Sequence, residues 1–362
     1  MPSLRRWLTL LVVAMLTMTA AACGSSDDDT STSGTQEASA DSGGTQVEGG
    51  KGTLGVVAID LQNAFFVRMK EAGDKAAADY GVKTTWQSAQ GSVEKQISIV
   101  ENMVRQGVGA ILIDPLDKNA IKPAIAKATA AGIPVISMGN KVDGDGNYNT
   151  LYPDYDNMAA NARVLAKSID EEGQVGLLVG SRGNFVSDTR EAGFVETMKK
   201  EFPNVDVVSV QPTDFDASKA ADIATTWSTS NPDMKGFACI SDSLCLAAQS
   251  ALQSAGKDLK FVGVDGDEEM HPFLESGQMV MDVLTGAERV GYWNIAVGAR
   301  LVNGAKLPKD LFLPTFFVSA SDIPSEVGLE TITPDDATSE AQGYQDQFGP
   351  DQPDSAMTTE TK

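Results

Sequence analysis

Short, near-continuous apolar runs recur along this chain, and a stretch with helical spacing follows almost every one. Gly55-Val56-Val57-Ala58-Ile59 reads as a buried strand, and Phe65 to Tyr80 as the helix after it. Strands at Val82–Trp86, Ala110–Ile113 and Val135–Ser137 alternate with helices over 93–106 and 119–131. Strands apolar on both faces and separated by such helices predict a parallel sheet covered on both sides. The rhythm then starts again. Helices over 156–171, 187–201, 217–230, 243–255 and 267–275 alternate with strands at Val175–Val179, Val205–Val210, Gly236–Ile240, Phe261–Val264 and Met279–Leu284. A long helix, Arg289–Val302, precedes a last strand at Thr315–Val318. Two such series predict an α/β protein of two doubly wound parallel-sheet domains. Ligands of open parallel sheets sit beyond the carboxyl ends of the strands. Two of these edges facing each other make a cleft, so the residues just after each strand carry the interest.

The ends of the chain are different in kind. Arg5 and Arg6 precede an apolar run from Trp7 to Met18, and Ala20-Ala21-Ala22 lead into Cys23. A basic head, a short apolar core and small residues at a cleavage point make an export signal. The segment resembles a bacterial lipoprotein signal (residues 1–23), which implies a lipid on Cys23. Residues 24–51 are rich in Gly, Ser, Thr and Asp, with almost nothing to bury, and read as a disordered tether. Residues 334–362 have a similar composition and are expected to be a disordered acidic tail. These two segments carry half of the formal net charge of −22. No basic stripe stands anywhere to neutralise phosphates, so nucleic acid is not an expected partner.

The body of about 280 residues is ample for two domains. Its remaining cysteines, Cys239 and Cys245, form an even pair in an exported chain. Compartment permits a disulfide, while a strand end and a helix start six residues apart leave open whether its geometry is met. Asp143-Gly144-Asp145-Gly146-Asn147-Tyr148-Asn149, with Asp154 at the twelfth position, alternates oxygen groups as a calcium loop does. The sixth position is Tyr rather than Gly and the twelfth Asp rather than Glu. Polar turn residues before a crossover explain the run more simply, and neither metal nor cofactor is expected.

After the first strand stands Asp60-Leu61-Gln62-Asn63-Ala64-Phe65-Phe66. Aromatic faces pack on the C–H face of a sugar ring, and amides and carboxylates bond its hydroxyls. With Gly132-Ile133-Pro134-Val135-Ile136, Arg190-Glu191-Ala192-Gly193-Phe194, Gln211-Pro212-Thr213-Asp214-Phe215-Asp216 and Val262-Gly263-Val264-Asp265-Gly266, this segment makes the chain similar to the sugar-binding branch of the type I periplasmic binding proteins, and most to ribose binders. The resemblance runs from about Gly52 to Val318. It implies two lobes, 52–154 plus 286–313 and 155–285 plus 314–333, joined by a three-segment hinge with the ligand cleft between them. It also implies a ligand site of Asn63, Phe65 and Phe66 from one lobe and Arg190, Phe215 and Asp265 from the other. Arg190 offers a planar fork of donors, and Asp265 accepts from adjacent hydroxyls.

The departures from the ribose pattern shape the expected ligand. Gly139-Asn140 stands where ribose binders have an Asp-Arg pair, Ser241 where they have Asn, and Thr285 where they have Gln. Asn140, Ser241 and Thr285 therefore join the expected site, and Asp114 replaces the missing carboxylate from another direction. The ligand implied is a small sugar or polyol with a hydroxyl layout or ring size different from ribose. The resemblance further implies an ABC importer's permease as partner, a monomeric protein, and a position on the outer face of the cytoplasmic membrane through the lipid anchor. A sensory binding protein reporting to a membrane receptor is the alternative. An enzyme is not expected, because His271 is the single histidine and no nucleophile–base pair or phosphate-binding Gly loop is present. A repressor of the same body fold needs a helix-turn-helix where the export signal stands.

Overall fold

The computed structural model describes residues 50–359. Cys23, the leader and residues 24–49 of the tether lie outside the described residues. The first sheet contains β1 (Thr53–Ala58), β2 (Lys83–Ser88), β3 (Ala110–Ile113), β4 (Val135–Met138), β5 (Asn147–Leu151) and β11 (Asp310–Phe312), in the order β11-β5-β4-β3-β1-β2. Its pairings are all parallel. The second contains β6 (Gly173–Val179), β7 (Val205–Pro212), β8 (Met234–Cys239), β9 (Lys260–Val262), β10 (Met279–Leu284) and β12 (Phe316–Val318), in the order β12-β10-β9-β8-β6-β7. Only the edge strand β12 runs antiparallel there, against β10.

Helices cover both faces. On the first sheet, α1 (Ala64–Asp79) and α9 (Ala287–Val302) bury Phe66, Met69, Trp293 and Val297 against one face. On the other, α2 (Val93–Gln106) and α3 (Lys122–Ala130) bury Ile99, Met103 and Ile125. The second sheet carries α4 (Asp154–Ser168), α5 (Phe185–Glu201), α6 (Ala217–Ser230), α7 (Asp242–Ser254) and the short α8 (His271–Ser276), sharing one apolar cluster. Each start has a local cause. Asn63, Ser92, Asn184 and Asp216 accept backbone N–H groups of their own first turns, the usual N-cap chemistry.

The chain passes between the sheets at Tyr152–Pro153, Thr285–Gly286 and Leu313–Thr315. A buried guanidinium ties two of these passages together. Arg289 donates to the carbonyls of Thr285 (3.3 Å) and Pro314 (3.1 Å) and to Gln347 Oε1 (3.3 Å). Burial lowers its pKa to about 10.

The carboxyl-terminal segment overturns an expectation. Residues 334–359 are folded, not disordered. After the short α10 (Ile323–Glu326) they form α11 (Pro334–Gln342), α12 (Tyr344–Phe348) and a 3-10 turn at Asp354–Met357. The start is well marked. Thr333 accepts from Asp336 N, and Pro334 occupies the first helical position. Ala337 packs into the second lobe's core, while Phe348 and Met357 are buried in that of the first. Trp293 Nε1 donates to Met357 O (2.8 Å), and Arg300 holds the carbonyls of Gly349 and Gln352. The segment thus straps one lobe to the other behind the three passages. Few apolar residues, lacking any periodicity, bury well because each enters a gap already framed by α9.

Cys239 and Cys245 are joined in a disulfide, with Cα atoms 5.5 Å apart. β5 and β11, which the sequence reading passes over, pair through Asn149, Thr150 and Leu151. Among the described residues no group of His, Cys, Asp and Glu is arranged to hold a metal ion. In the calcium-like run, Asn147 and Asn149 turn inward to Ser137, the Val142 backbone and Asp310, and Asp154 pairs elsewhere.

Candidate ligand-binding site

The carboxyl ends of the two sheets face each other, and a cavity lies between them. Its lining repeats the strand-end rule. Asn63 and Phe65 follow β1, Asp114 follows β3, Phe215 follows β7, Ser241 follows β8, Asp265 lies just past β9 and Thr285 follows β10. Phe66 reaches the cavity from the first turn of α1 and Arg190 from the second turn of α5. Nine of the ten expected ligand-binding residues are therefore brought together.

On the second lobe the polar groups hold one another. Arg190 Nε donates to Asp154 Oδ1 (2.7 Å) and Nη1 to the carbonyl of Ile240 (2.5 Å), while Asp265 Oδ1 stands 3.6 Å from Nη1. Burial works against the guanidinium charge, but Asp154 and Asp265 outweigh it and its pKa stands above the ordinary value. Burial raises the Asp265 carboxyl to about 7, against the pull of Arg190 and with Asp267 adding to it. Ser241 Oγ donates to Asp265 Oδ2 at 2.7 Å. Asp265 takes φ 140°, a region non-glycine residues avoid. Surrounding bonds enforce it. Its N–H donates to Val283 O, and its carbonyl accepts from Thr285 N (3.2 Å) and Gly286 N (2.9 Å).

Phe215 is positioned by the same kind of local constraint. Asp214 and Phe215 both have positive φ, at 56° and 60°. The Thr213 hydroxyl donates to Val179 O (2.8 Å) and accepts from Phe215 N (3.2 Å). The ring lies directly on Gly180, where an added Cβ would meet it at 2.3 Å. Only glycine just past β6 leaves room for the tip of that ring.

The first lobe supplies faces and helix starts. Phe65 and Phe66 stand edge to face, with centroids 5.6 Å apart. Asn63 Oδ1 is committed to capping Phe65 N (2.9 Å), which leaves its amide nitrogen as the group for a ligand. Burial raises Asp114 to about 7, against the opposing effects of Arg190 and the Asn140 amide.

Asn140 is a different case. It is fully buried and does not line the cavity. Its amide donates to Asp114 Oδ1 (2.8 Å) and Met138 O (3.1 Å), and its oxygen accepts from Phe185 N (3.0 Å) on the other lobe. Both of its amide donors and its oxygen are engaged within the protein, and the bond to Phe185 joins the two lobes across the cleft. Asn184 does the reverse, donating to Pro115 O (2.9 Å) while capping α5 through Ser187 N. Arg68 of α1 adds an ion pair with Asp267.

The cavity also has lining that the sequence reading did not name. Tyr152 follows β5, a strand of Asn, Tyr and Thr without the apolar run that marks the others. Asn184 caps a helix that starts at Phe185, two residues before the start expected from sequence. Met69, Met138 and Val186 add apolar wall. Their signal was available, since each lies on a strand end or an inward helix face. His271 opens α8 and takes no part in the lining.

Facing parallel-sheet edges, with hydroxyl-bonding groups and ring faces between them, make a solute trap. A family of periplasmic binding protein domains matches residues 54–306. The chain belongs to this family. Its members are substrate-binding proteins, not enzymes. This periplasmic binding protein is 29% identical over 265 residues to the ribose import binding protein of Bacillus subtilis, across 72% of this chain and 85% of that one. It is 29% identical over 264 residues to the D-allose-binding periplasmic protein of Escherichia coli, across 69% and 83%. The Caulobacter myo-inositol binding protein, solved with myo-inositol, has the same fold. It aligns with a TM-score of 0.72 at 21% identity, covering 78% of this chain and 98% of that one.

Proposed function

We propose that this protein captures a small sugar or polyol outside the cytoplasm and delivers it to an ABC importer. One observation carries the reading. In one cavity, Phe65, Phe66 and Phe215 offer ring faces while Arg190, Asp265, Ser241, Asn63 and Asp114 offer donors and acceptors. That pairing of chemistries suits a ring or chain with one C–H face and a hydroxylated edge. The ribose and allose proteins among its relatives support the same class. Neutral Gly139-Asn140 and the inward commitment of Asn140 favour a ligand other than ribose. The leader supports export, and Cys23 is the proposed site of a lipid that holds the protein at the outer face of the membrane. The body acts as a monomer.

A thermal-shift screen of the purified protein with D-ribose, D-allose, xylitol and myo-inositol tests the reading. A ligand that binds only the folded state stabilises it by about 2.7 kcal/mol at a hundred times its Kd. At least one of these or a near homologue is expected to raise Tm by several degrees. Stabilisation by amino acids or nucleosides instead, with none from sugars or polyols, overturns it. The anchor has its own test. Cys23→Ala is expected to move the protein from the membrane fraction to the soluble one.

A further inference from the structure

We propose that Tyr152 sets ligand selectivity, its ring limiting the length of the sugar or polyol and its hydroxyl reading one ligand hydroxyl. The inference rests on the sugar-capture reading of this same cavity. Three features of the structure carry it. Tyr152 lines the cavity from the passage between β5 and α4, where neither lobe's sheet continues. Its ring fills the space beside Gly139: a Cβ added there would stand 3.2 Å from Tyr152 Cε2 and 3.5 Å from Val186 Cγ2. At φ +66°, Gly139 brings its backbone close beneath that ring. A side chain at 139 would therefore be crowded by the ring at 152, which forms the cavity wall at that place.

The third feature is the hydroxyl. Tyr152 is half-buried, and its Oη makes no hydrogen bond among the described residues, which leaves it to meet a ligand in the cavity it lines. Burial and the fields of Asp114, Asp154 and Asp265 hold its proton firmly, with Arg190 opposing. The group is thus a committed donor, close to carboxylates that accept. A ligand hydroxyl placed here accepts from Tyr152 and donates to Asp114, which satisfies both.

D-ribose and D-allose make a matched pair of probes, since the pyranose rings differ by one hydroxymethyl group. Calorimetry on wild type, Tyr152→Phe, Tyr152→Ala, Gly139→Ala and Gly139→Ala/Tyr152→Ala, with xylitol as a third probe, separates the possibilities. Tyr152→Phe is expected to bind its ligand about tenfold more weakly, through one lost hydrogen bond, with an unchanged unfolding transition. Tyr152→Ala is expected to shift the allose-to-ribose affinity ratio about tenfold towards allose, the size of effect one carbon group has in a fitted pocket. Gly139→Ala is expected to weaken binding more in the wild-type background than beside Tyr152→Ala, because the backbone strain cancels in the cycle and the ring clash does not. If wild type binds a probe but Tyr152→Phe matches it and Tyr152→Ala keeps the ratio, the Tyr152 assignment is wrong and sugar capture stands. If wild type binds no sugar or polyol, sugar capture fails and the assignment with it.

Discussion

The two walls of the cleft meet the ligand in opposite states of readiness. On the second lobe, Arg190 spans Asp154, the Ile240 carbonyl and Asp265, and Asp265 is held in turn by Ser241. Those groups fix one another whether or not a ligand is present. On the first lobe, Phe65 and Phe66 offer faces, Asn63 spends its oxygen on a cap, and Asp114 has a single amide as side-chain partner. That wall gains its company across the cleft, through Asn140 to Phe185 and Pro115 to Asn184. A pre-organised wall contributes affinity at low ordering cost. A wall completed by closure couples binding to motion. The comparison assigns affinity chiefly to the second lobe and closure to the first.

The sharpest way to break that division is Arg190→Ala. It leaves Asp154 and Asp265 buried without their cation, and Asp154 Oδ2 already lacks a partner among the described residues. Stability is expected to fall by about 3 kcal/mol in urea unfolding, and ligand binding to vanish in calorimetry. Asp265→Asn is the next largest. Losing a charged acceptor weakens binding roughly ten- to a hundredfold. Stability at pH 7 is expected to hold or rise, because the carboxylate is costly to ionise there. Phe215→Ala comes third, at about tenfold in affinity, from the loss of a ring face. Asn140→Ala should cost only about threefold, seen as faster ligand release, since it removes a bond between the lobes and not a ligand contact. Were Asn140→Ala to exceed Asp265→Asn, the division between the walls would be wrong.

Acidity sharpens the same comparison, because one group on each wall is affected. Asp114 and Asp265 both have pKa values raised to about 7 by burial. Ligand hydroxyls donate to the ionised carboxylates, so affinity is expected to tighten several-fold from pH 5.5 to 8, with proton release visible as a buffer-dependent heat. The ligand-free protein should show the opposite sign. A folded pKa above the unfolded value gives stability that is complete below about 4 and lost as pH rises through about 7. Its Tm is therefore expected to fall over the range in which affinity grows.

How much of this was legible depends on what each element buries. β1, β3 and β4 announce themselves because both faces are covered and every residue is apolar or small. β5 does not, because its buried Asn147 and Asn149 are polar and are satisfied by hydrogen bonds to Ser137, Val142 and Asp310. Missing β5 hid Tyr152. The strap at 334–359 was misread for a related reason. Its composition is that of a solvated segment, and the apolar residues it buries in the first lobe's core, Phe348 and Met357, stand nine residues apart. The Thr333-Pro334 helix start was a local signal outweighed by composition. At the site, the strand-end rule and the resemblance located the ligand-facing residues. Neither separates a side chain that points into the cavity from one, like Asn140, that turns to the opposite lobe.

The central claim is a two-lobed clamp that closes on its ligand. Hydrogen bonds from Asn140 and Asn184 and the Arg68–Asp267 pair join the walls across the cleft, and a ligand touching both walls adds to what holds it shut. Small-angle scattering on the purified protein, with and without the ligand found by thermal shift, reads that motion directly. The account predicts a smaller radius of gyration with ligand and a bound-state curve that matches this closed structure; equal radii in the two states would contradict it.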